Sequence, residues 1–195
     1  MKEWQTNQIM TKKFDDSQPS RHIIENFSRT KSGYVLDLGC GKGKNAIWLA
    51  KNGWKVDVVD PKQKWLGIVK ERSAEANIEI QSFVQSDIQS FVPDKQYDLI
   101  VCAMVLHFLS PDQITDAIEK MQSWIKPDGQ IYISVMTDDN PVGHRPTLFK
   151  KGQLRDYFNG WEANNFHITT DPLLMPGNTE PEIYYFDFII ARKPS

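Results

Sequence analysis

Short apolar stretches alternate with longer amphipathic stretches along the chain from about residue 34 onward. The apolar stretches are rich in β-branched and aromatic residues and predict strands, whereas the amphipathic stretches have helical spacing. Strands and helices in alternation are typical of a largely parallel sheet with helices on both faces. The predicted strands are Tyr34–Leu38, Lys55–Val59, Ile78–Val84, Tyr97–Ala103, Gln130–Val135, Ala163–Thr169 and Ile183–Ala191. We therefore predict an α/β fold of the Rossmann-like type.

Capping and turn signals mark where several predicted helices begin and end. Ser110 can cap a helix whose first turn accommodates Pro111 and whose Gln113 bonds back to the cap. The turn sequence Lys126–Gly129 ends that helix and leads into the next strand. Pro61 is suited to open an earlier helix. Between the last two strands there is no helix signal, which predicts that these strands pair antiparallel.

Length and composition determine the expected domain organisation. The chain has 195 residues, of which 40% are hydrophobic and 25% are charged. These values are ordinary for a protein with one sizeable core. The polar residues before about residue 18 predict an N-terminal arm or a segment that orders over a ligand. We therefore expect such an arm over residues 1–20 and a single domain over residues 21–195.

Charge and cysteine content disfavour several classes of protein. The formal net charge of −2 gives no positive field that would attract nucleic acid or an anionic membrane. Cys40 and Cys102 lie in apolar stretches and predict buried, reduced thiols, and the sequence has no zinc-ligand spacing. The first residues lack an apolar signal core, and Leu99–Leu109 is too short to span a bilayer. We expect a soluble, cytoplasmic protein without a metal.

A glycine-rich turn follows the first predicted strand and precedes a helix. It reads Asp37-Leu38-Gly39-Cys40-Gly41-Lys42-Gly43, and its glycines allow positive φ angles and a close approach of the backbone to a ligand. Asp60 ends the next strand about 20 residues further on, where nucleotide-binding folds place a ribose-binding carboxylate. Because Asp60 precedes Pro61, it could instead cap a helix. The arrangement indicates a nucleotide-like ligand.

Two residues distinguish between the nucleotide cofactors. A dinucleotide-binding turn places glycine or alanine where this chain has Lys44, and the carboxylate of Asp37 would repel a pyrophosphate. An NAD-dependent oxidoreductase is therefore disfavoured. S-adenosylmethionine carries an ammonium and a sulfonium but no phosphate, so an acidic glycine turn suits its charge.

The motifs resemble those of class I S-adenosylmethionine-dependent methyltransferases. The glycine turn matches their first motif, Val59-Asp60 matches the second and Ser86-Asp87-Ile88 the third, in the family's order and spacing. A closer similarity, to the tellurite-resistance methyltransferase (TehB-like) group, covers Gly43–Ala50, Val105–Leu109, Phe149–Glu162 and Ile190–Lys193. The resemblance implies a seven-stranded sheet with an antiparallel last strand. It also implies that the protein uses S-adenosylmethionine to methylate a small-molecule acceptor.

The resemblance implies a role for each matching position. Asp37 and the glycine turn would hold the methionine part of the cofactor, and Asp60 would bind the ribose hydroxyls. Asp87 would bind the exocyclic amine of adenine, with Ile88 against the ring, although Asp87 could also cap a short turn. Ala103 would line the site by its backbone. The implied cofactor-binding residues are Asp37, Gly39, Cys40, Gly41, Gly43, Asp60, Pro61, Asp87, Ile88 and Ala103.

Three residues are candidates for contact with the methyl acceptor. His107 follows the fourth strand, where this fold directs loops toward the substrate, but its apolar neighbours are also typical of a buried core histidine. His144 and Arg145 lie in a loop after the fifth strand, either as a solvated pair or as part of a substrate-facing lid. Arg145 could grip an anionic or polarisable acceptor through paired donors. The family implies that Phe14–Ser20 closes over the cofactor.

The sequence does not identify the methyl acceptor. The tellurite group carries a His-Arg pair and a further arginine before its last strand, and the stretch Pro176–Glu182 has neither. Tellurite or another chalcogen oxyanion, a thiol and an unrelated small metabolite are all compatible with the residues. The alternative class is a non-catalytic module that binds S-adenosylmethionine or a partner.

Overall fold

The structure is a computed structural model that describes residues 12–13, 18–28, 33–140, 147–169, 173–174 and 182–195. Its strands are β1 (Lys12–Lys13), β2 (Tyr34–Leu38), β3 (Lys55–Val59), β4 (Ser82–Val84), β5 (Tyr97–Ala103), β6 (Ile125–Met136), β7 (Glu162–Thr169), β8 (Leu173–Leu174) and β9 (Tyr185–Arg192). Its helices are α1 (Arg21–Phe27), α2 (Lys44–Lys51), α3 (Gln63–Glu75) and α4 (Pro111–Trp124), with 3₁₀ helices at Leu106–Phe108 and Gln153–Phe158.

The main sheet has seven strands in the order β4-β3-β2-β5-β6-β9-β7. The pairs from β4 to β6 are parallel, whereas β9 is inserted between β6 and β7 and runs antiparallel to both. The predicted fold class, a mostly parallel seven-stranded sheet with an antiparallel last strand, is confirmed. The direction of winding reverses between β2 and β5, and folds of this kind bind ligands outside the carboxyl ends of the strands at such a switch point.

Two apolar layers, one on each face of the sheet, form the core. One layer holds α1, α2 and α3 against the sheet through side chains such as Ile23, Leu49 and Val69. The other holds α4 and the 3₁₀ helix at Gln153–Phe158 through Ile118 and Phe158. All five side chains are fully or almost fully buried. The central strands β2 and β5 are covered on both faces, which explains why they are near-continuous apolar runs.

The start of α4 confirms the predicted capping box. The Ser110 hydroxyl accepts from the backbone N–H of Gln113, and the Gln113 side chain accepts from the backbone N–H of Ser110 at 3.0 Å, with Pro111 in the first turn. These bonds satisfy donors that a helix start otherwise leaves free. In the described part of the chain, no helix is both long and apolar enough to cross a membrane.

Three predicted boundaries are wrong. The strand predicted over Ile78–Val84 is confined to β4, because the backbone N–H of Ile78 bonds to the carbonyl of Ser73 and closes α3 instead of extending the strand. The turn predicted over Lys126–Gly129 is an irregular stretch of β6, which begins directly at the end of α4. Pro61 lies before α3 rather than in its first turn.

The end of the predicted N-terminal arm contacts the sheet. The backbone N–H of Ser20 donates to Asn45 Oδ1 at 2.9 Å, and the Ser20 hydroxyl lies 3.0 Å from the hydroxyl of Tyr132. Earlier in the arm, β1 pairs with β8 as a two-stranded parallel ribbon. Of residues 1–20 the structure describes 12–13 and 18–20, so the role of the arm as a cover stays a prediction.

Candidate functional site

The glycine-rich turn connects β2 to α2 beyond the carboxyl end of β2. The N–H of Gly39 donates to the carbonyl of Val59 at 2.8 Å, which ties the turn to the end of β3. Gly39 has a φ of 75°, and a Cβ there would lie 2.3 Å from Cγ2 of Val105, so a larger residue does not fit. Gly41 has a φ of 53°, but a Cβ there would meet no atom within 4 Å. Gly41 therefore presents bare backbone to open space.

Asp37 lies near the end of β2 with its side chain buried. Among the described residues, its Oδ2 has no hydrogen-bond partner. Burial, with a contribution from the charge of Asp60, raises the pKa of Asp37 to about 7, although the N–H of Ala46 and the charge of Lys44 act in the opposite direction. A buried carboxylate oxygen without a donor is costly. Its position is therefore suited to a cationic donor from outside the described chain.

The backbone holds Asp60 in place at the end of β3. Its Oδ2 accepts from the N–H of Gly41 at 3.0 Å, and its Oδ1 accepts from the N–H of Lys62 at 2.9 Å. The helix-cap alternative is wrong, because Lys62 is the N-cap of α3 and that helix has no side-chain cap. A carboxylate oxygen can accept a second hydrogen bond, so Asp60 retains the capacity to bind a ligand hydroxyl.

Asp87 and Ile88 follow β4. The Oδ1 of Asp87 accepts from the N–H of Ser90 at 2.8 Å, so Asp87 does cap the short turn after it. That hydrogen bond lowers the pKa of Asp87 and keeps its exposed carboxylate ionised near neutral pH. Ile88 is buried and belongs to the same core layer as α4.

A cavity of about 1040 Å³ brings most of these positions together. Its size is at the upper end of the range of roughly 300–1,000 Å³ that is usual for small-molecule sites. The predicted cofactor residues that line it are Asp37, Gly39, Cys40, Gly41, Asp60, Pro61, Asp87, Ile88 and Ala103. Gly43 is absent from the lining: it forms the N-cap of α2, and a Cβ there would lie 2.6 Å from Cγ2 of Val69. Gly43 therefore supports the turn by close packing.

Cys40 lines the cavity but is not a reactive thiol. It is buried, and burial together with the charges of Asp37 and Asp60 raises the pKa of its thiol far above the ordinary range. A thiol in such surroundings is protonated and inert. Within the described ranges, no three or more His, Cys, Asp or Glu side chains are grouped to hold a metal ion.

Of the three candidates for acceptor contact, the structure describes only His107. This residue lies in the 3₁₀ helix after β5, is buried and lines the cavity. Its position agrees with both interpretations, a core histidine and a residue that faces a ligand. His144 and Arg145 lie outside the described residues, as do Phe14–Ser17 and residues 175–181, so the predictions made for them stay predictions.

Sequence reasoning missed an aromatic part of the cavity. We call it the aromatic wall, and it consists of His22, Tyr132, Tyr184, Phe186 and Phe188. These residues come from α1, from β6 and from β9 with the residue just before it. The alternation of Tyr184, Phe186 and Phe188 with other residues was one available signal, because alternate side chains of a strand point to one face.

Comparison with known proteins identifies the family. A family model described as tellurite resistance protein TehB matches residues 3–172. The chain belongs to the TehB family. The glycine turn, Asp60, Asp87 and His107 all lie within the matched residues, whereas Tyr184, the residue before β9, lies outside them.

Two curated proteins are similar to this chain, and one of them carries the name of the same family. Hemagglutinin 1 of Eikenella corrodens is 33% identical over 165 residues, which are 82% of this chain and 54% of that protein. The probable S-adenosyl-L-methionine-dependent methyltransferase TehB of Haemophilus influenzae is 30% identical over 131 residues, 66% of this chain and 46% of that protein. The chain thus spans about half the length of the curated relatives that it matches.

The crystal structure of TehB from Haemophilus influenzae has the same fold. The two structures match with a TM-score of 0.79 at 24% sequence identity, over 88% of this chain and 61% of that one. The N-methyltransferase NodS from Bradyrhizobium japonicum matches with a TM-score of 0.71 at 19% identity, over 89% of this chain and 93% of that one. The expected Rossmann-like fold of class I methyltransferases is confirmed.

Proposed function

We propose that this chain binds S-adenosylmethionine and transfers its methyl group to a small-molecule acceptor. The observation that carries the proposal is the buried carboxylate of Asp37, which lines the cavity and whose Oδ2 has no partner among the described residues. A ligand ammonium would satisfy this oxygen, whereas a pyrophosphate would be repelled by it. Membership of the TehB family supports the same proposal.

The lining residues fit the parts of this cofactor. Asp37 would hold the ammonium, and the bare backbone at Gly41 leaves space for the methionine chain. Asp60, held by two backbone N–H groups, would accept from the ribose hydroxyls. Asp87 would accept from the exocyclic amine of adenine, and the buried Ile88 would pack against its ring. Ala103, at the end of β5, would contribute its backbone to the lining.

Methyl transfer requires the protein mainly to align the acceptor with the methyl group and to exclude water. The cofactor would supply a methyl group on a sulfonium, which is already a good leaving group. The cavity residues would hold the acceptor in line with that methyl group, because good alignment removes much of the barrier of a bimolecular step. A hydroxyl or thiol acceptor must also lose a proton. His107 is the candidate residue to hold that proton, since it is a histidine that lines the cavity.

Several acceptor classes fit this proposal. A tellurite or other chalcogen oxyanion is favoured by the name of the family, whereas a thiol or another small metabolite would not need an arginine to bind it. His144 and Arg145 would contact the acceptor, because they follow β6 in the sequence. Small acceptors are favoured over macromolecules, since the fold uses most of the chain and the net charge of −2 does not attract nucleic acid.

Calorimetry and a product screen test the proposal together. We expect S-adenosylmethionine to bind in a 1:1 ratio and NAD not to bind under the same conditions. Donor with a labelled methyl group is then incubated with panels of chalcogen oxyanions, thiols and hydroxylated ring compounds. Binding of the donor without a methylated product from any panel would favour the alternative, a non-catalytic binding module. Binding of NAD instead would overturn the assignment of the cofactor.

Gly41→Ala is expected to weaken S-adenosylmethionine binding by about tenfold or more, because its Cβ projects into space that the ligand would fill. Gly160→Ala is a matched control. Gly160 also has a positive φ, of 79°, with no atom within 4 Å of a Cβ, but it is not among the residues that line the cavity. Both variants should lose about 1–2 kcal/mol of unfolding free energy through backbone strain. If calorimetry gives the two variants equal affinity for S-adenosylmethionine, Gly41 is not part of the binding site.

A further inference from the structure

The aromatic wall contains two groups of neighbouring rings on one part of the cavity. The ring of His22 stacks on that of Phe188, with centroids 4.0 Å apart and an angle of 24° between the planes. The ring of Tyr132 lies 5.9 Å from that of Phe188, and Tyr184 and Phe186 stack at 6.4 Å. Aromatic rings interact favourably at separations of about 4.5–7 Å. The wall therefore presents ring faces and edges to a ligand.

The sheet fixes the wall in place. Phe186 and Phe188 are two residues apart on β9, so their side chains point to the same face. β9 pairs with β6 on one side and with β7 on the other, and its partner opposite Phe188 on β7 is Phe166. The ring of Phe166 stacks on that of Phe188 at 4.7 Å. Phe188 is therefore packed between the rings of His22 and Phe166, and it holds the ring of His22 in place at the cavity.

The polar atoms of the wall are already engaged within the chain. The hydroxyl of Tyr132 lies 3.0 Å from that of Ser20, and the hydroxyl of Tyr184 donates to Glu182 at 2.9 Å. Burial lowers the pKa of His22, which favours its neutral ring near pH 7. The cation next to it, Arg21, also lines the cavity, but it is paired at 2.6 Å with Glu25, one helical turn later, and its side chain is 84% exposed. The described wall thus offers ring surface rather than charge-assisted donors for an oxyanion.

We propose that the methyl acceptor is a flat, ring-bearing molecule with a hydroxyl or thiol group, bound with its ring against the aromatic wall. This inference rests on the proposed function. In the transfer, the acceptor oxygen or sulfur bonds to the methyl carbon, and the bond between that carbon and the sulfonium breaks with its electron pair left on sulfur. The acceptor proton passes first to His107, the candidate residue to hold it, and from there to solvent. The residues proposed to bind the cofactor lie on or directly after β2, β3, β4 and β5, and none of these elements carries the aromatic wall.

The test uses 2-naphthol as the ring-bearing ligand and measures its binding to the full chain by fluorescence. Phe188→Leu removes the central ring of the wall and keeps an apolar side chain. Phe83→Leu is the matched control, because Phe83 is 37% exposed on β4 and does not line the cavity. We expect Phe188→Leu to weaken 2-naphthol binding at least fivefold and Phe83→Leu to leave it unchanged. Decahydro-2-naphthol, which has the same carbon and oxygen atoms in a saturated and non-planar frame, should bind several-fold more weakly than 2-naphthol.

Parallel calorimetry with S-adenosylmethionine separates failure of this inference from failure of the proposed function. Cofactor binding without 2-naphthol binding would overturn the inference alone, whereas 2-naphthol binding without cofactor binding would overturn the proposed function. Displacement of 2-naphthol by the cofactor would place the ring in the wrong part of the cavity and overturn the inference. Tighter binding of sodium selenite than of 2-naphthol would favour an oxyanion acceptor. If Phe188→Leu does not fold, Phe186→Leu carries the same expectation.

Discussion

Asp37→Asn is expected to raise the free energy of unfolding at pH 8 and, in the same variant, to reduce S-adenosylmethionine binding at least a hundredfold. Asparagine keeps an oxygen that can accept from the N–H of Ala46, the donor that already faces this side chain. It removes a buried charge whose Oδ2 has no partner among the described residues. It also removes the charge that would hold a ligand ammonium, and it turns an amide donor toward that cation.

The gain in stability should depend on pH in a defined direction. The pKa of Asp37 is raised from 3.8 to about 7 in the folded chain, mainly by burial. Between these two values the unfolded chain loses the proton while the folded chain retains it, so wild-type stability falls as the pH rises from about 4 to about 7. A shift of this size corresponds to about 4 kcal/mol at most. The asparagine variant cannot titrate, so its advantage over wild type should be near zero at pH 4 and complete above pH 7.

Urea denaturation at pH 4.5, 6 and 8, with calorimetry at pH 8, measures both effects. Asp156→Asn is a suitable control, because Asp156 is exposed and should change neither quantity by much. Wild-type affinity for S-adenosylmethionine should also rise with pH as Asp37 ionises. A stability difference that is the same at all three pH values would mean that Asp37 does not titrate in this range. Full cofactor affinity in Asp37→Asn would remove the observation on which the proposed function depends.

Local signals in the sequence predicted the part of the cavity that we propose for the cofactor. The glycine turn, the end of β3 and the capping box of α4 each depend on neighbours within a few residues, so their residue types and spacing were sufficient. Asp60 was placed at the end of its strand by pattern alone, and the structure adds that the N–H groups of Gly41 and Lys62 hold it. The start of β4 was predicted too early, because the decisive hydrogen bond, from the N–H of Ile78 to the carbonyl of Ser73, competes with strand pairing and leaves no trace in hydrophobicity.

The aromatic wall could not be predicted in the same way. His22 and Phe188 stack although one lies in α1 and the other in β9, near opposite ends of the chain. Their contact depends on β9 being inserted between β6 and β7, which is a property of the whole sheet. The alternation of apolar residues predicted the strand β9 but not the strands that pair with it. The same limit applies to Asp187, a charged residue in an apolar strand that the sequence did not single out.

Asp187→Ala is expected to destabilise the protein by about 3–5 kcal/mol, a large part of the roughly 5–15 kcal/mol that usually holds a domain folded. The side chain of Asp187 is fully buried on β9. It accepts hydrogen bonds from the N–H of Gly152 and from Nδ2 of Asn165 at 3.3 Å, and Nδ1 of His167 lies 2.8 Å from its Oδ1. Removal of the carboxylate would leave the partly buried N–H of Gly152 without this acceptor and open a cavity.

Denaturation of Asp187→Ala, Asp187→Asn and the exposed control Asp156→Ala measures this cost. Asparagine retains one acceptor oxygen, so Asp187→Asn should lose clearly less free energy of unfolding than Asp187→Ala. The control should stay within about 0.5 kcal/mol of wild type. If Asp187→Ala loses no more free energy of unfolding than the control, the hydrogen bonds to Asp187 do not contribute to stability. Asp187 is flanked by Phe186 and Phe188, and adjacent residues of a strand point to opposite faces. The folded fraction of Asp187→Ala should therefore bind 2-naphthol and S-adenosylmethionine with wild-type affinity, which separates the stability of β9 from the function of its aromatic face.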